Sequence, residues 1–170
     1  MWNTAKLFAE YPVINRGFGG SQISDVNQYV ERIVLPYKPK VIVLYCGVND
    51  IVGGGKSPEQ VLADFKQFLA MVHAALPETP VIFLSIRLGP AWWQHHPKTD
   101  RANAAIREMA QTLEYLHYAD MTTGMMGSDG TPDPKAFLED QIHLTEQANV
   151  KWADLLRPTL KKVYDAATKK

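Results

Sequence analysis

A single cysteine in 170 residues, Cys46, excludes an intrachain disulfide and any zinc site built on paired thiolates. An excess of one charge is missing too: eighteen basic side chains offset eighteen acidic ones, and the only block is a short Lys-Lys terminus. That balance gives no electrostatic reason for a nucleic-acid or anionic-membrane partner, and none is expected. Long apolar runs are also absent. None approaches the roughly 20 residues that span a bilayer, and "MWNTAKLFAEYP" lacks the apolar centre of a signal peptide. The expectation is a soluble chain, cytoplasmic as it stands, with export left open to a segment further upstream.

What is present is ordinary for a globular protein. Hydrophobic residues at 46% and charged ones at 21% suit a soluble fold, and the length suits one domain over 1–170 with a substantial core. Three segments read as strands: "PVINRG" (12–17), "KVIVLYCG" (40–47) and "PVIFLSIR" (80–87), with "HYADM" (117–121) as a weaker fourth. The continuous apolar character of the middle two suggests strands covered on both faces, as in parallel sheets. Helical patterns lie between and after them, at 22–34, 58–76, 99–116 and 145–166. Strand alternating with helix predicts an α/β fold with a parallel sheet.

Two helix starts have a chemical basis. Ser57 is placed to cap, with Pro58 at the first helical position and Gln60 closing a capping box. Thr145 is placed to cap the last helix, with Glu146 at the positive end of its dipole. "GMMGSDGTPDPKAF" (124–137) is loop. The chain opens on a helix-like stretch, whereas doubly wound sheets usually open on a strand.

Ligands of open α/β sheets bind beyond the carboxyl ends of the strands. Three stretches stand there: "NRGFGGSQ" (15–22), "CGVNDIVGGG" (46–55) and "EDQIHL" (139–144). Glycine amides and the Asn49 side chain are the donor types that an oxyanion hole uses. Asp140, three residues before His143, is spaced to hold the imidazole in one tautomer, leaving the other nitrogen to act as a base.

"NRGFGGSQISDV", "YCGVND" and "DQIHLT", in this order and spacing, resemble the second, third and fifth sequence blocks of the GDSL or SGNH hydrolases. The resemblance runs from residue 12 to about 160. It implies a three-layer α/β/α sandwich of flavodoxin-like type and hydrolysis of a small-molecule ester through a serine acyl-enzyme, with no metal and no other cofactor. By position it assigns oxyanion donors to the Gly20 backbone and the Asn49 amide, the general base to His143, and its orienting acid to Asp140. The family's first block, with its opening strand and nucleophilic serine, has no counterpart here. The expectation is that Met1 corresponds to an internal position of a longer ancestor or gene product. The alternatives are a catalytically dead binding or structural protein, or a homo-oligomer whose sheet gap another chain fills.

Other features read more plainly. Ser21 reads as a turn serine or helix cap rather than a replacement nucleophile, and Ser57, Ser85 and Ser128 have no better claim. "GGGKS" (53–57) has Asp50 where a phosphate loop needs glycine, and the cluster after Asn15 has Gln22 where a dinucleotide loop needs glycine. Trp92 and Trp93 are candidate substrate contacts, with packing as the rival. His95 and His96, being adjacent, are poorly placed to share a metal. Cys46, His73 and His117 read as structural.

Overall fold

The computed structural model describes residues 2–169. Three parallel strands, β1 (Ile42–Leu44), β2 (Val81–Leu84) and β3 (Leu116–Ala119), form a sheet in the order β1-β2-β3. The central strand is buried along its whole length, which is why its sequence is continuously apolar.

Side chains alternate across a strand, and β2 shows it directly. Val81 and Phe83 enter a core with Ile23 and Val30 of α2 (Ile23–Ile33), Phe65 and Phe68 of α4 (Pro58–Ala75), and Ile106 of α5 (His96–Ala110). Ile82 and Leu84 enter a second core with Leu7 of α1 (Thr4–Leu7) and Trp152 and Leu156 of α6 (Glu146–Thr168). Helices therefore cover both faces, and the sheet is the middle of three layers.

The helix caps form as their residues dictate. Ser57 accepts from the Gln60 N–H and the Gln60 side chain returns to the Ser57 N–H, at 3.3 and 2.8 Å. Thr145 caps α6 through the Ala148 N–H at 3.1 Å. The third helix of the sequence reading runs 96–110 instead of 99–116, because Pro97 is accepted in its first turn and the chain turns at Gln111–Thr112.

Residues 12–17 are not a strand. Their bonds run to turns and side chains instead of a ladder: Val13 N–H bonds the Tyr11 carbonyl at 2.9 Å, the Asn15 side chain accepts from Gly17 N–H at 2.9 Å and donates to the Trp2 carbonyl at 3.3 Å, and Arg16 bonds the Tyr37 hydroxyl. No ladder of backbone bonds joins this segment to β1. The outer edge of β1 has no strand partner among the described residues, and Val43 in β1 and Tyr45 just after it are 39% and 37% exposed. Val13, Ile14 and Phe18 are exposed as well. No described helix is long and apolar enough to cross a membrane.

Candidate active site

The chain leaves β1 through Gly47, whose φ of 124° suits glycine alone. A Cβ there would lie 2.6 Å from Ile86 Cδ1, so glycine also lets the exits of β1 and β2 close on each other. Gly47 opens a short helix, α3 (Val48–Val52), which carries Asn49. The Asn49 Nδ2–H donates to the Ser21 carbonyl at 3.0 Å, which places Asn49 beside the turn containing Gly20. Gly20 has φ 75° and is exposed. Cys46 also points its thiol at the Ser21 carbonyl, at 3.5 Å; burial, reinforced by the Asp50 charge, pushes this thiol up to about 12. The Ser21 hydroxyl donates to the Phe18 carbonyl at 3.0 Å, and Gln22, not Ser21, caps α2.

The second part of the site is the loop before α6. Asp140 Oδ1 accepts from the Ile142 and His143 N–H groups at 2.8 and 2.9 Å, while Oδ2 meets His143 Nδ1 at 2.7 Å. The His143 N–H, the ring and the Ile142 N–H together lower the Asp140 carboxyl to about 2. An ionised Asp140 accepts only, so in the neutral imidazole the proton belongs on Nδ1 and the Nε2 lone pair is left free. The His143 side chain is 72% exposed, and Nε2 has no hydrogen-bond partner among the described residues. The loop is tight: Leu138 N–H bonds the His143 carbonyl at 2.7 Å, and Gln141 takes a left-handed φ of 55°.

The exit of β2 joins the two parts. Asn103 of α5 clamps Ile86, accepting from its N–H at 2.8 Å and donating to its carbonyl at 3.0 Å. Arg87, buried between the rings of Phe137 and Trp152, directs Nη1 at the Ile142 carbonyl at 3.5 Å. A Cβ on Gly89 would collide with the Gln141 carbonyl oxygen, and the Ala91 N–H reaches that same oxygen at 3.3 Å. Gly20 and Asn49 thus lie together, Asp140 and His143 lie together, and both pairs stand at the carboxyl end of the sheet. Trp92 and Trp93 sit half-buried on the 3-10 turn Pro90–His95, docked against the histidine loop; Trp93 stacks on His96 at 4.4 Å.

The sequence reading missed Asn103, Arg87 and Gly89. The last two carried a faint signal, an arginine and a glycine interrupting an apolar run.

The family model for GDSL-like lipases and acylhydrolases matches residues 2–150. The chain belongs to the GDSL-like lipase/acylhydrolase family. No curated protein sequence matches it. Among solved structures it is similar to a GDSL-like lipase from Bacteroides thetaiotaomicron, with TM-score 0.77 and 19% identity over 94% of this chain and 80% of that one. It is similar also to a carbohydrate esterase family 3 protein from Talaromyces cellulolyticus, with TM-score 0.73 and 20% identity over 92% and 78%. A variant of a Geobacillus acetyl-xylooligosaccharide esterase gives TM-score 0.71 and 15% identity over 94% and 76%. These likenesses show the GDSL fold.

Within this GDSL-family chain no described serine hydroxyl bonds His143. Ser85 is fully buried and held by Thr122 and the Met121 N–H, Ser57 is a helix cap, and Ser21 faces Phe18. Among the described residues no three His, Cys, Asp or Glu side chains gather into a metal site.

Proposed function

We propose that this chain is a serine-type ester hydrolase for short-chain acyl or carbohydrate-linked esters, with Asp140 and His143 as its acid–base pair and Gly20 and Asn49 as its oxyanion donors. The observation that carries the reading is the Asp140–His143 contact at 2.7 Å with the second imidazole nitrogen left open. In that mechanism His143 Nε2 takes the proton of an attacking serine hydroxyl as its oxygen bonds the ester carbonyl carbon. Negative charge collects on the former carbonyl oxygen, where the Gly20 N–H and the second Asn49 Nδ2–H stabilise it. Loss of one such donor raises the barrier by roughly 2.7–4 kcal/mol. His143 then gives its proton to the leaving alcohol, and water releases the acyl group by the same steps in reverse. Trp92 and Trp93 offer flat apolar surface for a sugar ring or acyl chain beside the histidine loop.

The reading takes the attacking serine from a strand beside β1, as the family resemblance implies. Two neighbours by fold bear names of carbohydrate-ester hydrolases, which supports that substrate class. A second reading, a binding protein on the same fold, is favoured by the absence of any described serine on His143. A third arrangement, another copy completing the sheet, draws on the open edge of β1.

Hydrolysis of p-nitrophenyl acetate separates these readings. The enzyme reading expects a residual turnover, with water attacking in place of the serine and His143 as its base, that His143→Ala lowers at least about 10²-fold while the fold is retained. A folded wild-type chain with no turnover above buffer, and no labelling by a serine-directed phosphonate, supports the binding reading instead.

A further inference from the structure

The Gly20 turn is held at its flanks: the Phe18 ring meets Tyr29 edge-on and the Ser21 hydroxyl bonds the Phe18 carbonyl. At Gly19 and Gly20 nothing lies within 4 Å of where a side chain would begin. Its position therefore depends on its flanks, and on the far side on what holds the residues that follow. Two consecutive side chains of α3 do so. Asn49 holds the Ser21 carbonyl at 3.0 Å, and both Asp50 carboxylate oxygens accept from the Ile23 N–H at 3.1 Å. Two grips two residues apart prevent the turn from swivelling about either one.

The Asp50 side chain is fully buried, so its charge needs a counter-ion at close range. Lys56 supplies it, with Nζ at 2.9 Å from Asp50, 2.7 Å from Asp64 and 3.0 Å from the Ser24 hydroxyl. An ammonium group has three donors, and all three are used. The glycines before Lys56 bring it there. Gly54 N–H bonds the Asn49 carbonyl at 2.7 Å, and Lys56 N–H bonds the Asp50 carbonyl at 2.9 Å. A Cβ on Gly54 would lie 2.7 Å from Gln22 Nε2 and 2.8 Å from the Asp50 carbonyl oxygen. The "GGGKS" segment is thus a fold-back that returns a lysine to a buried carboxylate.

We propose that Asp50 and Lys56 are positioning residues that lock the Gly20 turn to Asn49, holding the two oxyanion donors in register. The purpose of the lock rests on the ester-hydrolase reading; its geometry does not. The variants Lys56→Met, Lys56→Arg and Asp50→Asn test it by ¹⁵N NMR and amide hydrogen exchange. In Lys56→Met the two Asn49 side-chain amide protons converge toward solvent-like shifts. The Ile23 amide exchanges at least tenfold faster, while α6 amides are unchanged. Lys56→Arg restores both signals. Unchanged Asn49 and Ile23 signals in folded Lys56→Met overturn the proposal. So does equal loss of protection in α6, which would make the pair a general support of the core. If Lys56→Met does not fold, Asp50→Asn, which leaves no buried charge at that position, is read by the same two outcomes. A parallel ester assay keeps the readings apart: no turnover even in the wild type removes the hydrolase reading and leaves the exchange result standing.

Discussion

Asp140 draws its two backbone hydrogen bonds and its imidazole contact from within three residues of itself, so its role in the loop depends little on distant packing. Its folded value of about 2 lies below the ordinary aspartate value of about 3.9. The sign follows: its contribution to loop stability is complete above about pH 4 and is lost as pH falls through about 2. Hydrogen exchange of the Ile142 and His143 amides, corrected for intrinsic rates, should show constant protection from pH 7 to 5 and loss near pH 2. At this scale the sequence was informative. An acid three residues before a histidine is close by chain connectivity alone, and a tight turn needs only local bonds.

Elements are held in register by residues that gave almost no sequence signal. The β2 exit is fixed by Asn103, which lies 17 residues beyond the Ile86 it clamps. Its contact with the histidine loop depends on Gly89, 52 residues before Gln141. No local pattern marks such a pairing, because the close approach exists only once β2, α5 and the loop are assembled. Gly89→Ala should destabilise the protein by about 1–3 kcal/mol through overpacking, seen as a lower urea midpoint. The same variant should raise exchange at Gln141 and Ile142 well before α4 is affected. An unchanged midpoint would mean that the loop yields freely.

Across the whole molecule the sheet has a full interior and, at β1, an outer edge with no strand partner among the described residues. β1 has a strongly apolar sequence, yet Val43 in it and Tyr45 just after it are among the exposed large hydrophobic residues, with Val13, Ile14 and Phe18 exposed too. Unpaired strand edges of this kind recruit other chains. Concentration-dependent self-association should appear in sedimentation velocity, and Val43→Lys should abolish it. Since Val43 is partly exposed already, that change should alter stability by no more than about 0.5 kcal/mol. Self-association undiminished by Val43→Lys would place the contact elsewhere.

The sequence by itself determined the α/β class, the alternation of its three strands with the long helices, the caps at Ser57 and Thr145, and the pairing of Asp140 with His143. Each of these depends on hydrophobic periodicity or on bonds between residues a few positions apart. Tertiary structure alone decided that 12–17 is not a strand. A strand forms only where its backbone is laid along a partner edge, and no property of "PVINRG" reports whether the assembled chain lays it there. Tertiary structure also decided that Asp50, Lys56 and Asn49 hold the Gly20 turn, and that Arg87 and Gly89 carry the histidine loop. Those contacts join segments tens of residues apart, and burial and close approach come into being only when the chain is folded.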